Sequence, residues 1–405
     1  MDSGLANDSV APAEASASIT VARPTQTIPI ISELRQIAEA SGKSHLALIR
    51  DFAKLAFGPG KLAFDEYLTL RLFDEASLAG ADKRAFVGLA ASRKIWLEAN
   101  HQIEYFSLVE NKIAANALFG AYGFPVIPTL ALFSNRAGLS TANLLRTEDE
   151  LRHFLIRGRH YPLFGKPMGG IQSLGAASFD RYDTATDSLV GGDGVATPLD
   201  AFIADVANHY GSGYLFQHRM SPHSEVRALC GDRLATVRLL TILTKAGPKL
   251  LRACWKIPAG SNVADNFWRS GNMLAQLDPK DGRVLRVVRG AGTAAEEPTH
   301  HPDTGTAMVG FAIPHWSQIV ELALEGAKVL PEVALIGWDI APVESGPVLV
   351  ELNHNPDFKL TQIADRCGTM DAVMKEFLAE RRHAAEAWKR AARQSLKHKE
   401  TVLEA

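Results

Sequence analysis

The sequence predicts an α+β protein in which a helical N-terminal region precedes a larger domain built on mainly antiparallel sheet. Three observations carry that prediction. From Ile31 to about residue 110, apolar positions recur at three- and four-residue spacing, the period of a helix with one buried face. Beyond them the apolar runs shorten to strand length and are punctuated by glycine, proline and polar turns. The regular strand–helix–strand alternation of a parallel sheet is missing, and the chain has no internal repeat.

Residues 1–28 are rich in Ala, Ser and Pro and poor in large apolar side chains, so they are expected to be disordered. Residues 29–110 form the helical region. It begins with "ISELRQIAEASGKSHLALIRDFAKLAFG", breaks at Gly58-Pro59-Gly60, and continues through "AFDEYLTLRLFD" and "DKRAFVGLAASRKIWLEANH". "NKIAANALFGAYG" reads as a helix stopped by Gly123, "FPVIPTLALF" as an extended segment, and "EDELRHFLIRG" as a further helix. Strands are then expected at "YPLFGKP", "AASFDRYD", "YLFQHRM", "EVRALCG", "RLATVRLLTILT", "LLRACWKI" and "RVLRVVRG". "WSQIVELALEGAKVL" is an amphipathic helix, and two last strands, "ALIGWDIAPV" and "PVLVELN", precede a long charged helix over residues 370–405.

Bulk properties exclude several classes of function. A formal net charge of −2 over 405 residues gives no whole-chain attraction to nucleic acid or anionic membrane. No apolar run approaches the roughly eighteen residues that span a bilayer, and the N-terminus lacks the basic and apolar regions of a secretory signal. Cys230, Cys254 and Cys367 are scattered, with neither metal-site nor disulfide spacing, and are expected to be small buried hydrophobes. The expected setting is the cytoplasm.

The closing hairpin, "ALIGWDIAPVESGPVLVELNHNP", carries the first chemistry. A three-residue loop "ESG" with Gly346 in the left-handed position sets Val343 opposite Pro347. Counting back, Asp339 falls opposite Glu351, and Glu351 shares a face with Asn353 by the period of two. A two-residue loop would slip that register and turn Asp339 to the other face. Two carboxylates on one face repel unless a cation lies between them. Either an oxygen-liganded Mg²⁺ or Mn²⁺ answers that need, or the polar groups cap a turn and pair with Arg or Lys.

The second feature is "LFGKPMGGIQSLGAASF". Gly169, Gly170 and Gly175 permit close backbone approach to a ligand, and Lys166 ends the incoming strand. It follows neither the P-loop nor the Rossmann glycine pattern, so a flexible hairpin loop and a phosphate cradle both remain open. "GGDG" at 191–194 reads as a surface turn.

In order, these elements resemble the ATP-grasp superfamily: Lys112 at a helix start ahead of "FPVIP", Lys166 with its glycine loop, "YLFQHRMSPHSEVRAL" leading to a glutamate, and the Asp…Glu-x-Asn set of the last hairpin. With "PHWSQIVELALEGA" and "ATVRLLT", the hairpin resembles the sugar-transfer-associated ATP-grasp group. The resemblance implies two α+β subdomains gripping ATP across residues 111–369, with a lid at about 155–225. It implies that Lys112 and Lys166 contact the α- and β-phosphates and that Gly169, Gly170 and Gly175 close over them. It assigns the adenine to Gln217, Arg219 and Met220, although Gln217 stands where many members carry Glu. Glu225 would bind the ribose, and Asp339, Glu351 and Asn353 would hold Mg²⁺ or Mn²⁺. Arg238, Lys256 and Arg269 are the cations expected to act at the reacting centre. Arg238 and Thr236 share a face of one strand, while Lys256 and Arg269 belong to "WKIPAGSNVADNFWRSGN". The implied activity is an ATP-dependent ligase that joins small-molecule carboxylates to amines or thiols through an acyl phosphate. Its substrate would be sugar-related or a cell-surface polysaccharide. A kinase on the same fold and a nucleotide-binding protein without turnover are the alternatives.

Overall fold

The structure, a computed structural model, describes residues 30–136, 143–157, 160–169 and 175–404. The expected disordered segment and Gly170 therefore lie outside the described residues.

Two platforms organise the chain, one wholly antiparallel and one antiparallel except for the parallel pair Thr129–Phe133 and Leu144–Leu145. The larger is a six-stranded sheet in the order Val284–Arg289, Met273–Leu277, Gly247–Ile257, Val237–Thr244, Leu335–Val343, Gly346–Asn353, with every neighbouring pair antiparallel. Its inner strand Leu335–Val343, next to the edge, is buried at every position, so both faces of the sheet are covered there. One face packs on helix Trp316–Val329, through Trp255, Ala275, Trp338 and Ile340 against Ile319 and Ala323. Gly326 permits that contact: a Cβ there would stand 2.7 Å from the Trp338 ring.

The other face is shared. Toward one edge, Cys254, Leu274 and Val288 join a core with the N-terminal helices Ile30–Ser41, His45–Ala56 and Phe64–Thr69 and with helix Phe358–Asp365. Toward the strand ends, Leu240, Ile242 and Leu251 receive Met374, Phe377 and Leu378 of the long helix Ala372–Glu404, which also packs on helix Leu89–Ala99. What remains of this face carries charged groups.

The smaller platform is a five-stranded sheet ordered Leu144–Leu145, Thr129–Phe133, Tyr214–His218, Leu163–Pro167, Ala177–Phe179. Helices Glu148–Ile156 and Leu199–Tyr210 cover it, and the short strands Arg181–Asp183, Ser188–Val190 and Ala196–Pro198 form a third sheet beside it. The extended segment read from "FPVIP" ties the platforms together: Leu349 N–H donates to Pro125 O at 2.8 Å, and Val126 bridges Leu349 in parallel.

One expected strand is a helix. "EVRALCG" folds as helix Ser224–Cys230 because Val226, Leu229 and Cys230 bury at helical spacing, and the His223 ring accepts the Glu225 N–H at the N-cap. The closing turn also differs. Val343 pairs with Gly346 rather than Pro347, so the loop is the two-residue one, with Gly346 at φ +118°. Asp339 nonetheless stands opposite Glu351, because the register shifts by one between Ile340↔Leu349 and Asp339↔Glu351. A β-bulge at Val350 restores the side-chain parity that the shorter turn takes away.

Candidate active site

The bulge shapes the site directly. In a regular strand consecutive side chains point to opposite faces. Here Leu349 and Leu352 enter the helix-covered core, while Val350 and Glu351 both line a cavity of about 780 Å³ between the two platforms. The cavity has an apolar wall made by Ile127, Phe164, Phe179, Met220, Leu234 and Val350, and a charged end at Lys166, Lys256, Asp265, Asp339 and Glu351.

Sheet register builds the charged end. Asp339 is the cross-strand partner of Arg238, and Arg238 of Cys254, so the three share a face, with Lys256 two residues beyond Cys254. Arg238 donates to both Asp339 oxygens, Nε to Oδ1 at 2.6 Å and Nη2 to Oδ2 at 2.8 Å. Lys256 Nζ stands 3.3 Å from Asp339 Oδ2 and 3.4 Å from Asp265 Oδ1, bridging the two carboxylates. Asp265 Oδ2 accepts the Thr236 amide and hydroxyl, each at 2.6 Å. All of these residues are buried. Burial alone would raise the Asp339 carboxyl, but Arg238 and Lys256 hold it well below the usual carboxylate range. Burial likewise opposes charge on Arg238 and Lys256, and the facing carboxylates hold both above their ordinary values. Asp265 goes the other way: burial raises it, and Lys256 only partly offsets the rise.

Two lysines reach the same end from the smaller platform and its neighbouring helix. Lys112 opens helix Lys112–Ala121, whose N-cap Asn111 accepts two backbone N–H groups. Its Nζ lies 3.1 Å from Glu351 Oε1 and 3.2 Å from Met168 O. Lys166 lines the cavity, where burial draws its pKa down and Glu351 opposes the fall while Lys112 adds to it.

The remaining sequence candidates divide. Gln217, Arg219 and Met220 line the cavity at the end of strand Tyr214–His218, where Gln217 Nε2 donates to Ile127 O at 3.0 Å and Arg219 pairs with Asp180. Arg269 lines it from the loop after Asp265, with its pKa lowered by burial. Glu225 stands on the exposed side of helix Ser224–Cys230, outside the cavity lining. Gly169 is exposed with open space around it. Gly175, at φ +79°, is required by packing: a Cβ would meet Pro167 Cγ and the Tyr210 ring at 2.6 Å. The 191–194 turn is exposed in part, yet Gly191, Gly192 and Asp193 line the cavity beside Asp180. Asp265 and Val350 had no signal in the sequence pattern; Asp265 is an isolated acid 29 positions from its partner Thr236.

Among the described residues no three His, Cys, Asp or Glu side chains are grouped to hold a metal ion. The donors Asp339, Glu351 and Asn353 nevertheless fit a hard dication chemically, being oxygen ligands at adjacent ladder positions. Asn353 Nδ2 is buried without a hydrogen-bond partner, and an amide flip offers its oxygen at the same point. Asp339 has both oxygens engaged with Arg238, so only its remaining lone pairs are available.

Solved structures with distant likeness include proteins named as ligases and synthetases. The D-alanine–D-alanine ligase from Coxiella burnetii aligns at 12% identity and a TM-score of 0.42, covering 72% of this chain and 62% of that one. The ATP-grasp ligase PsnB, complexed with a phosphomimetic variant of its minimal precursor, Mg and ADP, aligns at 15% identity and 0.38, covering 70% and 61%. The ADP complex of N5-carboxyaminoimidazole ribonucleotide synthetase aligns at 12% and 0.36, covering 62% and 46%. This chain thus spans less than two thirds of each of those proteins. No curated protein matches it. The family model of sugar-transfer associated ATP-grasp proteins matches residues 194–376, a segment that leaves out Lys112 and Lys166 but holds the whole six-stranded sheet. That segment carries Arg238, Lys256, Asp339, Glu351 and Asn353, and it is over this stretch that the chain is similar to the sugar-transfer associated ATP-grasp family.

Proposed function

We propose that the chain is an ATP-dependent ligase that joins a carboxylate to an amine through an acyl phosphate. The observation that carries this reading is the meeting of Lys112, Lys166 and Glu351 at one end of a cavity whose other wall is apolar. A nucleoside triphosphate has that polarity: a flat apolar base at one end and a polyanion at the other. Ile127, Phe164, Met220 and Val350 would take the base, and the lysines would take the α- and β-phosphates as point charges. Asp339, Glu351 and Asn353 would hold Mg²⁺, which when bound neutralises charge on the β- and γ-phosphates.

The chain's own contribution is positioning and charge. Arg238 and Lys256 fix the Asp339 carboxylate in one orientation through the strand register, so it cannot swing with the ligand. Arg269, on the wall beyond Asp265, would face the negative charge that builds on the transferring phosphoryl group and the tetrahedral centre. The bulge sets Val350 against the base while Glu351 stays with the phosphates.

Protein, ATP and Mg²⁺ are incubated with a panel of carboxylates and amines, and ADP and phosphate are measured with the amide product. Glu351→Ala is expected to lose turnover by at least about a hundredfold. ADP release that is unaffected by Glu351→Ala would remove the basis of the reading. So would a stable phosphorylated product in place of free phosphate.

A further inference from the structure

Asp265, Thr236, Asn262 and Arg269 also wall the cavity, at the end where Asp265 meets Asp339 across Lys256. Asn272 makes that wall rigid. It is fully buried, its Oδ1 accepts from Ala259 N and Asn262 Nδ2, and its Nδ2 donates to Ala264 O and Asn266 O. The loop 259–272 is therefore held by its own side chains, and Asp265 is presented from it at a fixed point.

The two Asp265 oxygens are unequal. Oδ2 is occupied by two short bonds from Thr236, whereas among the described residues Oδ1 has one partner, Lys256 Nζ at 3.4 Å. That ammonium is shared with Asp339, 3.3 Å away. Asp339 is also held by Arg238, so the charges near Asp265 are Lys256, Asp339 behind it, and Arg269, Arg233 and Asp232 on the cavity walls. Arg233 is committed elsewhere, to Cys230 O, Gly260 O and Asp303. A carboxylate that lines a cavity, with one oxygen held by two short bonds and the other by a single longer ion pair, has the geometry of a proton acceptor.

We propose that Asp265 is the base for the nucleophile in the second half of the reaction. The assignment rests on the ligase reading and deepens it: the acceptor is a molecule that brings an N–H to this end of the cavity. The acceptor nitrogen's lone pair forms the C–N bond to the acyl-phosphate carbonyl carbon. The proton on that nitrogen passes to Asp265 Oδ1, and the C–O bond to phosphate breaks with its electron pair on the departing phosphate. Burial raises the Asp265 carboxyl, which favours its taking up a proton.

The test compares two nucleophiles in wild type, Asp265→Asn and Asp265→Glu. Hydroxylamine is already uncharged near neutral pH and attacks acyl phosphates unaided, whereas the ammonium groups of alanine and glucosamine must each lose a proton before the nitrogen can attack. With ATP, Mg²⁺ and the carboxylate panel, Asp265→Asn is expected to form hydroxamate while amide formation falls by about 10²–10⁴-fold. Asp265→Glu, which keeps a carboxylate, is expected to recover part of the amide rate and the acid limb of its pH profile. Hydroxamate and amide lost in equal proportion would make Asp265 structural and overturn the assignment. An Asn variant as fast as wild type with the amines would overturn it as well. A wild type that releases no ADP with either nucleophile would overturn the ligase reading itself, and this assignment with it.

Discussion

Replacing Arg238 with methionine tests the charge network that fixes Asp339. The stem keeps its packing between the strands, but the two hydrogen bonds at 2.6 and 2.8 Å are lost and a buried carboxylate loses its closest cation. Removing one partner of a buried pair costs about 3–5 kcal/mol, because the survivor stays desolvated. Lys256, at 3.3 Å, still faces Asp339, which sets the expectation at the lower end, about 3 kcal/mol. Hydrogen exchange of the amides in Val237–Thr244 and Leu335–Val343 reads the effect where it occurs, and about 3 kcal/mol corresponds to roughly hundredfold faster exchange. The pH dependence supplies a second readout. Asp339 is held below the ordinary carboxylate range, so its contribution is full above the unfolded value, near 4, and is lost as pH falls toward the folded one. The variant should show a shallower acid limb. Exchange within threefold of wild type, with the acid limb unchanged, would refute the claim that Arg238 holds Asp339.

Asp365 gives a pH effect of opposite sign. Burial pushes its carboxyl up to about 6, against Arg252 and Arg286, so its contribution is present below the unfolded value and is lost as pH rises through about 6. Asp365→Asn should abolish that decline in a thermal-melt series from pH 4 to 7, a difference of about 3 kcal/mol at most. Gly175→Ala should destabilise the smaller platform by about 1–3 kcal/mol, since the left-handed backbone and the Tyr210 ring both oppose a Cβ; protease sensitivity of Leu163–Phe179 would report it. Deleting Val350 should leave Glu351 opposite Asp339 but remove one apolar wall residue, raising the KM for ATP more than it lowers kcat.

The sequence carried the antiparallel core because strand-length apolar runs and turn residues are local signals. It carried the Asp339–Glu351 pairing by a compensated route. A three-residue turn and a two-residue turn with one bulge give the same parity at Glu351, and apolar Val348, Leu349 and Val350 do not reveal which applies. "EVRALCG" misled because seven residues of mixed polarity satisfy either period, and the capping His223 decided the outcome. The isolated Asp265 and the 191–194 turn became visible only in three dimensions, where Thr236, Lys256 and Asp180 surround them. Glu225 shows the converse: a residue picked by its order along the chain stands on the exposed side of its helix, outside the cavity lining.

The contact between Pro125 O and the Leu349 N–H has a mechanical meaning. Between Gly346 and Glu351 the last strand carries one residue of slack, which could be stored in the turn or farther along. Stored in the turn, Leu349 would rotate its N–H inward toward strand Leu335–Val343, and Val350 would withdraw from the cavity without moving Glu351. By engaging that N–H from the outer edge, the segment that joins the two platforms acts as a detent. The shape of the apolar wall is thereby tied to the segment that joins the platforms, while the ionic end is set by the strand register.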